Sequence, residues 1–310
     1  ILLTDYYPRS TKRGGAWMNN FRSQEISEDG EDIRPVIVNV GNFTKPTADK
    51  PSLLTLDEAA TMFHEFGHAL HGLLSKCTYK DVSGTSVARD FVELPSQFNE
   101  NWALYPEVLK RYAVHYETGE VIPDSLVAKI TAASNFNYGF MTTELVAASL
   151  LDMRWHELTS IYVPADCPFA SSVAAPEGAE AAFLKTGGEL RPTGTSSELR
   201  IIDPVAFEAC MMSEIGLIDE IIPRYRTTYF NHVFGGGYSA GYYSYLWAEV
   251  LDKDAFELFK RKGLSNKTVA NSFRHNILEK GGSDEPMTLY KRFRGAEPDP
   301  SALLRARGLL

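Results

Sequence analysis

Two histidines four residues apart, with a glutamate directly after the first, stand in His64-Glu65-Phe66-Gly67-His68. Four residues of α-helix make slightly more than one turn, so both imidazoles fall on one face. There they can ligate a single metal ion at roughly 2.0–2.1 Å. Glu65 is then placed to take a proton from water on that metal. The H-E-x-x-H pattern is short, and an amphipathic helix with two ordinary histidines would also produce it. Its surroundings favour chemistry. Thr55-Leu56-Asp57-Glu58 is a capping box that starts a helix, and Phe63, Phe66, Leu70, Leu73 and Leu74 recur at helical spacing. One face therefore packs while the other carries the histidines. His71 extends the polar stripe one turn further and reads as a packing or supporting residue.

A catalytic zinc normally has three protein ligands and keeps one position for water. The segment Arg89-Asp90-Phe91-Val92-Glu93-Leu94-Pro95-Ser96-Gln97 offers Glu93 as the third, reaching back from a following helix. Asp90, Glu100 and Glu107 compete by composition. Glu93 is preferred because it alone sits among apolar neighbours, where an unpaired carboxylate would be unfavourable. Zinc, one ion per chain, follows from the ligand types, and cobalt or manganese would accept the same set. Further along, Tyr238, Tyr242 and Tyr245 follow Gly235-Gly236-Gly237 at spacings that put them on one face of a helix. Such a stripe is often core, but phenols can also donate to a developing oxyanion, and glycines let backbone approach a ligand closely.

The positioning elements follow from pattern. Ile1 to Tyr7 and Pro35 to Val40 read as strands, with a loop or hairpin tip over 25–32. Helices are expected from Thr55, over part of Ala88 to Trp102, over Glu107–Tyr116, Asp124–Ala133 and Glu144–Thr159, and again after Asp219. Val163 to Asp203 is rich in Ala, Ser, Gly, Thr and Pro, with Cys167-Pro168, Gly187-Gly188 and Arg191-Pro192, and reads as a long, partly irregular surface insertion. The expected fold is mainly α with a small β-sheet near the N-terminus.

The chain has 310 residues, 44% of them apolar and 12% aromatic, which supports a sizeable core and excludes disordered and fibrous classes. A net charge of −9 argues against a nucleic-acid partner. No apolar run is long enough to span a bilayer. Cys77, Cys167 and Cys210 show no CxxC pattern and read as free thiols, which fits a reducing, cytoplasmic setting. The opening Ile1-Leu2-Leu3-Thr4-Asp5-Tyr6-Tyr7 has no initiator Met and reads like the inside of a strand, so a fragment of a longer chain is expected.

The run His64 to Gly72, taken with Arg89 to Gln97, resembles the thimet oligopeptidase family of zinc metallopeptidases. Leu150-Leu151-Asp152-Met153-Arg154-Trp155-His156 and the segment Phe234 to Trp247 look like its bacterial dipeptidyl carboxypeptidase branch. The resemblance runs from Tyr6 to Leu309 apart from 163–203. It implies a zincin-like catalytic domain over 1–310, a narrow channel with zinc at its floor, and an N-terminal helical half lying outside this chain. It implies His64, His68 and Glu93 as zinc ligands and Glu65 as the catalytic carboxylate. His232, Tyr238 and Tyr245, with Tyr242 less firmly, are implied to hold substrate and the tetrahedral oxyanion. Expected partners are short peptides, with no nucleic acid, no membrane and a monomeric chain. Expected products are C-terminal dipeptides. An endo-acting oligopeptidase is the competing enzyme reading. A non-catalytic zinc module closed by a fourth ligand such as Cys77 is the competing class.

Overall fold

A computed structural model describes residues 1–186 and 189–310. The chain divides into two compact units, residues 1–136 with 247–310, and residues 137–246.

The first unit opens with β1 (Leu2–Asp5), β2 (Trp17–Arg22), the short pair β3 (Glu25–Ile26) and β4 (Asp32–Ile33), and β5 (Val36–Val40). β5 is central. It pairs in parallel with β1 and antiparallel with β2, giving a three-stranded sheet in the order β1-β5-β2. The β3–β4 pair supplies the hairpin expected over 25–32. β2 was not expected, since its Asn19-Asn20 centre breaks the apolar alternation that marks a strand.

Helix α1 (Leu56–Leu74) begins at the expected capping box. The Thr55 hydroxyl accepts from the Glu58 amide, and the Glu58 carboxylate accepts from the Thr55 amide. Helix α2 (Leu94–Ala103) starts later than the pattern suggested. Turns occupy 89–93, and Pro95 sits in the first turn of the helix, where its missing N–H is harmless. Then come α3 (Pro106–Tyr112), ending four residues early, and α4 (Asp124–Ala133), as expected.

Two glycines inside α1 explain how the helix is held. A Cβ on Gly72 would lie 2.7 Å from Ile37 Cδ1 on β5 and 2.7 Å from Met18 Cε on β2. A Cβ on Gly67 would lie 2.4 Å from the Pro95 carbonyl oxygen and 2.6 Å from Ser96 Cα on α2. Each glycine disfavours a helix interior by about 1 kcal/mol relative to alanine. Here they let one helix lie tightly between a sheet and a second helix.

The second unit contains α5 (Tyr138–Glu157), strands β6 (Tyr162–Pro164), β7 (Ala170–Ala174), β8 (Phe183–Thr186), β9 (Glu189–Pro192) and β10 (Leu199–Ile202), then α6 (Pro204–Glu214) and α7 (Asn231–Phe234). α5 starts six residues before the expected Glu144, following Asn137 in the left-handed region at φ 58°. Within 163–203 the described residues form an antiparallel sheet in the order β6-β10-β7 and a β8–β9 hairpin. The Gly187-Gly188 pair lies outside the described residues. Phe169, Phe207 and Met211 pack beneath this sheet, with the rings of Trp155 and Phe207 4.2 Å apart.

Helix α8 (Ser244–Lys262) runs into the first unit, which closes with α9 (Lys267–Phe273), a π-helical turn (Arg274–Leu278), α10 (Pro286–Arg294) and α11 (Ser301–Ala306). The first unit's core is aromatic. Phe98 of α2 stacks on Phe273 at 4.4 Å and packs against Phe259 at 5.2 Å. Burying such a ring contributes about 1.5–3 kcal/mol, so α2 is fixed from behind as well as from α1. No helix among the described residues is long and apolar enough to cross a membrane.

The Gly67 contact gives a direct test. Gly67→Ala gains helix propensity yet must push α2 away, so net destabilisation of about 1–3 kcal/mol is expected from overpacking. Urea unfolding measures it. A variant as stable as the parent would remove the close-approach argument.

Candidate metal centre

His64 and His68 project from α1 one turn apart, with ring centroids 4.9 Å apart and planes at 85°. Glu93 stands at the N-terminal boundary of α2 and is 3% exposed. Its Oε2 lies 3.3 Å from His64 Nε2 and 3.2 Å from His68 Nε2. Among the described residues these three side chains form the one group able to hold a metal ion, with their ligand atoms all within 4.8 Å of one another. Ligands arranged tetrahedrally at roughly 2.0–2.1 Å from a zinc ion stand roughly 3.3 Å apart. The donor set and its spacing therefore fit such an ion.

The competitors named from sequence separate cleanly. Glu100, two turns along α2, does not join the ligand atoms. Its Oε1 instead lies 2.6 Å from His64 Nδ1. That contact orients the ring and leaves Nε2 on the Glu93 side, where an ion would be held, and such outer carboxylates raise the basicity of a ligating imidazole. Asp90 and Glu107 are also outside the group. Ser96 sits one turn into α2, and its hydroxyl lies 2.8 Å from Glu93 Oε2, a hydrogen bond that steadies the carboxylate. Asn99 Nδ2 donates to the Phe63 carbonyl at 2.6 Å and ties α2 to α1 beside the site. The Asn99–Phe63 contact left no trace in the sequence, because only the helix pairing brings those residues together.

The electrostatics suit a cation. Burial pulls the His64 imidazole down, but Glu100 and Glu93 outweigh it and hold the group up at about 10. Burial pushes Glu93 up, but His64 and His68 outweigh it and hold its carboxyl well below the usual range. A buried carboxylate is thus stabilised by positive charge on its two neighbours, the charge a divalent ion supplies more strongly. Metal binding here displaces protons.

Glu65 is 5% exposed, and its Oε2 is buried with no protein partner. A buried carboxylate oxygen of this kind needs a hydrogen bond, and a water is the ordinary donor. Burial pushes its carboxyl up from the ordinary value, with His64 and His68 opposing. A carboxyl raised toward neutrality can both take and return a proton. His71 is fully buried, and burial, with the His68 charge, pulls it down to about 3. It packs as a neutral ring. Cys77 is equally remote from ligation, since its Sγ lies 3.2 Å from the Lys280 carbonyl and 3.3 Å from that of Val82. The closed four-ligand module therefore has no fourth ligand in this cysteine.

The second unit holds the other expected residues. His232 lies on α7 and Tyr245 in the first turn of α8, with Tyr238 on the segment between. The rings of Tyr238 and Tyr245 stack at 5.3 Å and 12°, and His232 stands 6.1 and 6.3 Å from them. The expected helix face is not what gathers the tyrosines. α8 begins only at Ser244, and residues 239–243 are turns. Tyr242 is 2% exposed among Leu145, Ala148, Phe230 and Val233, and burial raises its phenol well above the ordinary value. It is a core residue.

Two imidazoles and a glutamate converge from neighbouring helices, with a buried glutamate on the same helix as the imidazoles, and together form a candidate metal site of the kind zincin-like metallopeptidases carry. The chain belongs to peptidase family M3, whose model matches residues 1–175 and 196–309. It is 41% identical over 305 residues to the dipeptidyl carboxypeptidase of Escherichia coli, and 40% identical over 311 residues to oligopeptidase A of the same organism. It is 32% identical over 307 residues to a thimet-like oligopeptidase of Dictyostelium discoideum. Each alignment covers 98% of this chain and 39% or 40% of the relative, so the chain spans about two fifths of the length of these relatives.

The Glu100 contact predicts a graded effect. Glu100→Ala should weaken metal binding roughly 10–100-fold without removing a ligand. Competition against a chromophoric chelator reads this, and an unchanged affinity would show that Glu100 does not orient His64.

Proposed function

We propose that this chain carries the chemistry of a zinc-dependent peptidase that releases dipeptides from the C-termini of oligopeptides. The observation that carries the reading is the juxtaposition of His64, His68 and Glu93 with Glu65, buried and with a carboxylate oxygen open to a donor. His64, His68 and Glu93 would hold the zinc, which when bound would supply Lewis-acid polarisation of the scissile carbonyl and the attacking water. Glu65 takes the proton of that water and passes it to the leaving amine. Its raised affinity for protons favours the first half of that cycle. His232, Tyr238 and Tyr245 are assigned as donors to the oxyanion of the tetrahedral intermediate. Support comes from their donor chemistry and their clustering, and Tyr242 drops out because its ring is buried. No enzyme nucleophile and no acyl-enzyme are required.

Release of dipeptides is favoured because one similar protein is named a dipeptidyl carboxypeptidase. The second reading, endo-cleavage of short peptides, is supported by the nearly equal identity to proteins named oligopeptidase A. We propose short peptides as the substrates. We also propose a monomeric chain acting in the cytoplasm without nucleic-acid or membrane partners, a setting consistent with net charge −9 and three free cysteines.

Two measurements test this. Glu65→Gln should retain one zinc per chain while turnover falls by about 10²–10⁴, and near-normal turnover with zinc bound would sink the mechanism. Product analysis on a free-acid peptide and its C-terminal amide separates the readings. Dipeptide release should stop on the amide, whereas endo-cleavage should continue.

A further inference from the structure

The segment Leu150 to His156 has so far no role in the chemistry, yet its aspartate is unusual. Asp152 is on α5 and fully buried. Its two carboxylate oxygens are used separately. The Ala240 amide donates to Oδ1 at 3.0 Å and the Tyr242 amide to Oδ2 at 2.9 Å. His156, one turn along α5, places Nδ1 2.8 Å from both the Asp152 carbonyl oxygen and Oδ1. A buried carboxylate is tolerated only where donors or charge satisfy it, and here both amide donors belong to the segment that carries the tyrosines.

That segment needs an anchor. It opens with Gly235-Gly236-Gly237, which restrict the backbone little. Ala240 adopts φ 51°, in the left-handed region that non-glycine residues avoid. Such a conformation persists only where the surroundings over-determine it. The carboxylate does so by seizing the amides on either side of Gly241. Pinning the Tyr242 amide also fixes a ring that is buried and lies 5.3 Å from Tyr245, which stacks on Tyr238. Asparagine cannot replace this contact. It offers one acceptor oxygen and turns an NH₂ group toward the other amide.

We propose that Asp152 is a positioning residue that holds residues 240–242 in their strained conformation and thereby sets the Tyr238–Tyr245 pair for its work on substrate. This rests on the reading of those tyrosines as oxyanion donors. Asp152 acts through the loop backbone and touches no reacting atom.

The test combines amide exchange with a double-mutant cycle on the full chain. In Asp152→Asn, exchange at the Ala240 and Tyr242 amides should accelerate at least about tenfold, the loss expected when a protecting hydrogen bond goes. Turnover should fall by about tenfold or more, in kcat rather than KM, with metal content unchanged. Adding Asp152→Asn to Tyr245→Phe should lower kcat less than about threefold further, because coupled residues are not additive. Unchanged exchange, or a full additional loss in the Tyr245→Phe background, overturns the proposal. If Tyr238→Phe and Tyr245→Phe both leave kcat intact, the oxyanion reading fails while the exchange data still decide the anchor. Ala240→Val gives a second route should Asp152→Asn fail to fold. It leaves the carboxylate in place and adds a β-branched side chain at an exposed position, so it should reproduce the faster exchange and lower kcat. A silent Ala240→Val equally overturns the proposal.

Discussion

The contact between α1 and α2 at Gly67 sets the distance on which the metal centre depends. α1 alone supplies two imidazoles on one face, a bidentate site of modest affinity. The third ligand stands at the start of α2, and it reaches the imidazoles because Pro95 and Ser96, its near neighbours, lie against a residue with no side chain. Gly72 performs the matching task toward β2 and β5. The helix is therefore fixed toward α2 by backbone approach and toward the sheet by the Ile37 and Met18 side chains, and the spacings of 3.2 and 3.3 Å inherit the α1–α2 contact. A methyl group at Gly67 would act on the centre by moving α2 rather than by touching a ligand.

Several carboxylates in the chain are held out of water. Glu93 is compensated by two imidazoles, and Glu65 keeps an oxygen for a donor from solvent or substrate. Asp152, in the second unit, is compensated by backbone amides and one imidazole. Each buried carboxylate thus has a different partner chemistry, and the partner decides what the group can do. Paired with imidazoles it receives a cation. Left partly open it can exchange a proton. Paired with amides it holds a loop.

Legibility in the sequence followed range. The His64 to His68 spacing and the Thr55 capping box are local, so the helix, its start and the shared histidine face were readable. Glu93 was readable from its apolar neighbours, which anticipate its burial. Glu100 was considered only as a rival ligand, because its use of His64 Nδ1 depends on how α2 faces α1, across 36 residues of sequence. The tyrosines matched a helix by spacing, but the backbone follows turns, since Asp152, 88 and 90 residues distant, stabilises a conformation that local propensity disfavours. The strands within 162–202 were hidden for a different reason. Ala170 to Ala174 and Glu189 to Pro192 lack a β-branched apolar run, and their pairing comes from neighbours rather than from intrinsic preference.

The charge behind Glu100 shows how far the centre's support extends. The Glu100 carboxylate meets His64 Nδ1 from a partly buried place. Asn101, the next residue of α2, accepts from Lys253 Nζ at 2.9 Å and donates to Asp252 Oδ1 at 2.8 Å. The Lys253 ammonium is pulled down by burial but held above its ordinary value by Asp252 and Glu249, with Glu100 contributing. Asp252, fully buried, is pushed up to about 6 by burial, with Lys253 opposing. Glu100 contributes to holding the Lys253 charge behind α2 and on its other side contacts His64 Nδ1. Alternating signs therefore run from α8 through α2 to α1, each stabilising the next. Removing the lysine would leave Asp252 without its counter-charge and Glu100 less able to hold the ligand ring, so the reach of the metal centre includes a residue on a helix that supplies no ligand.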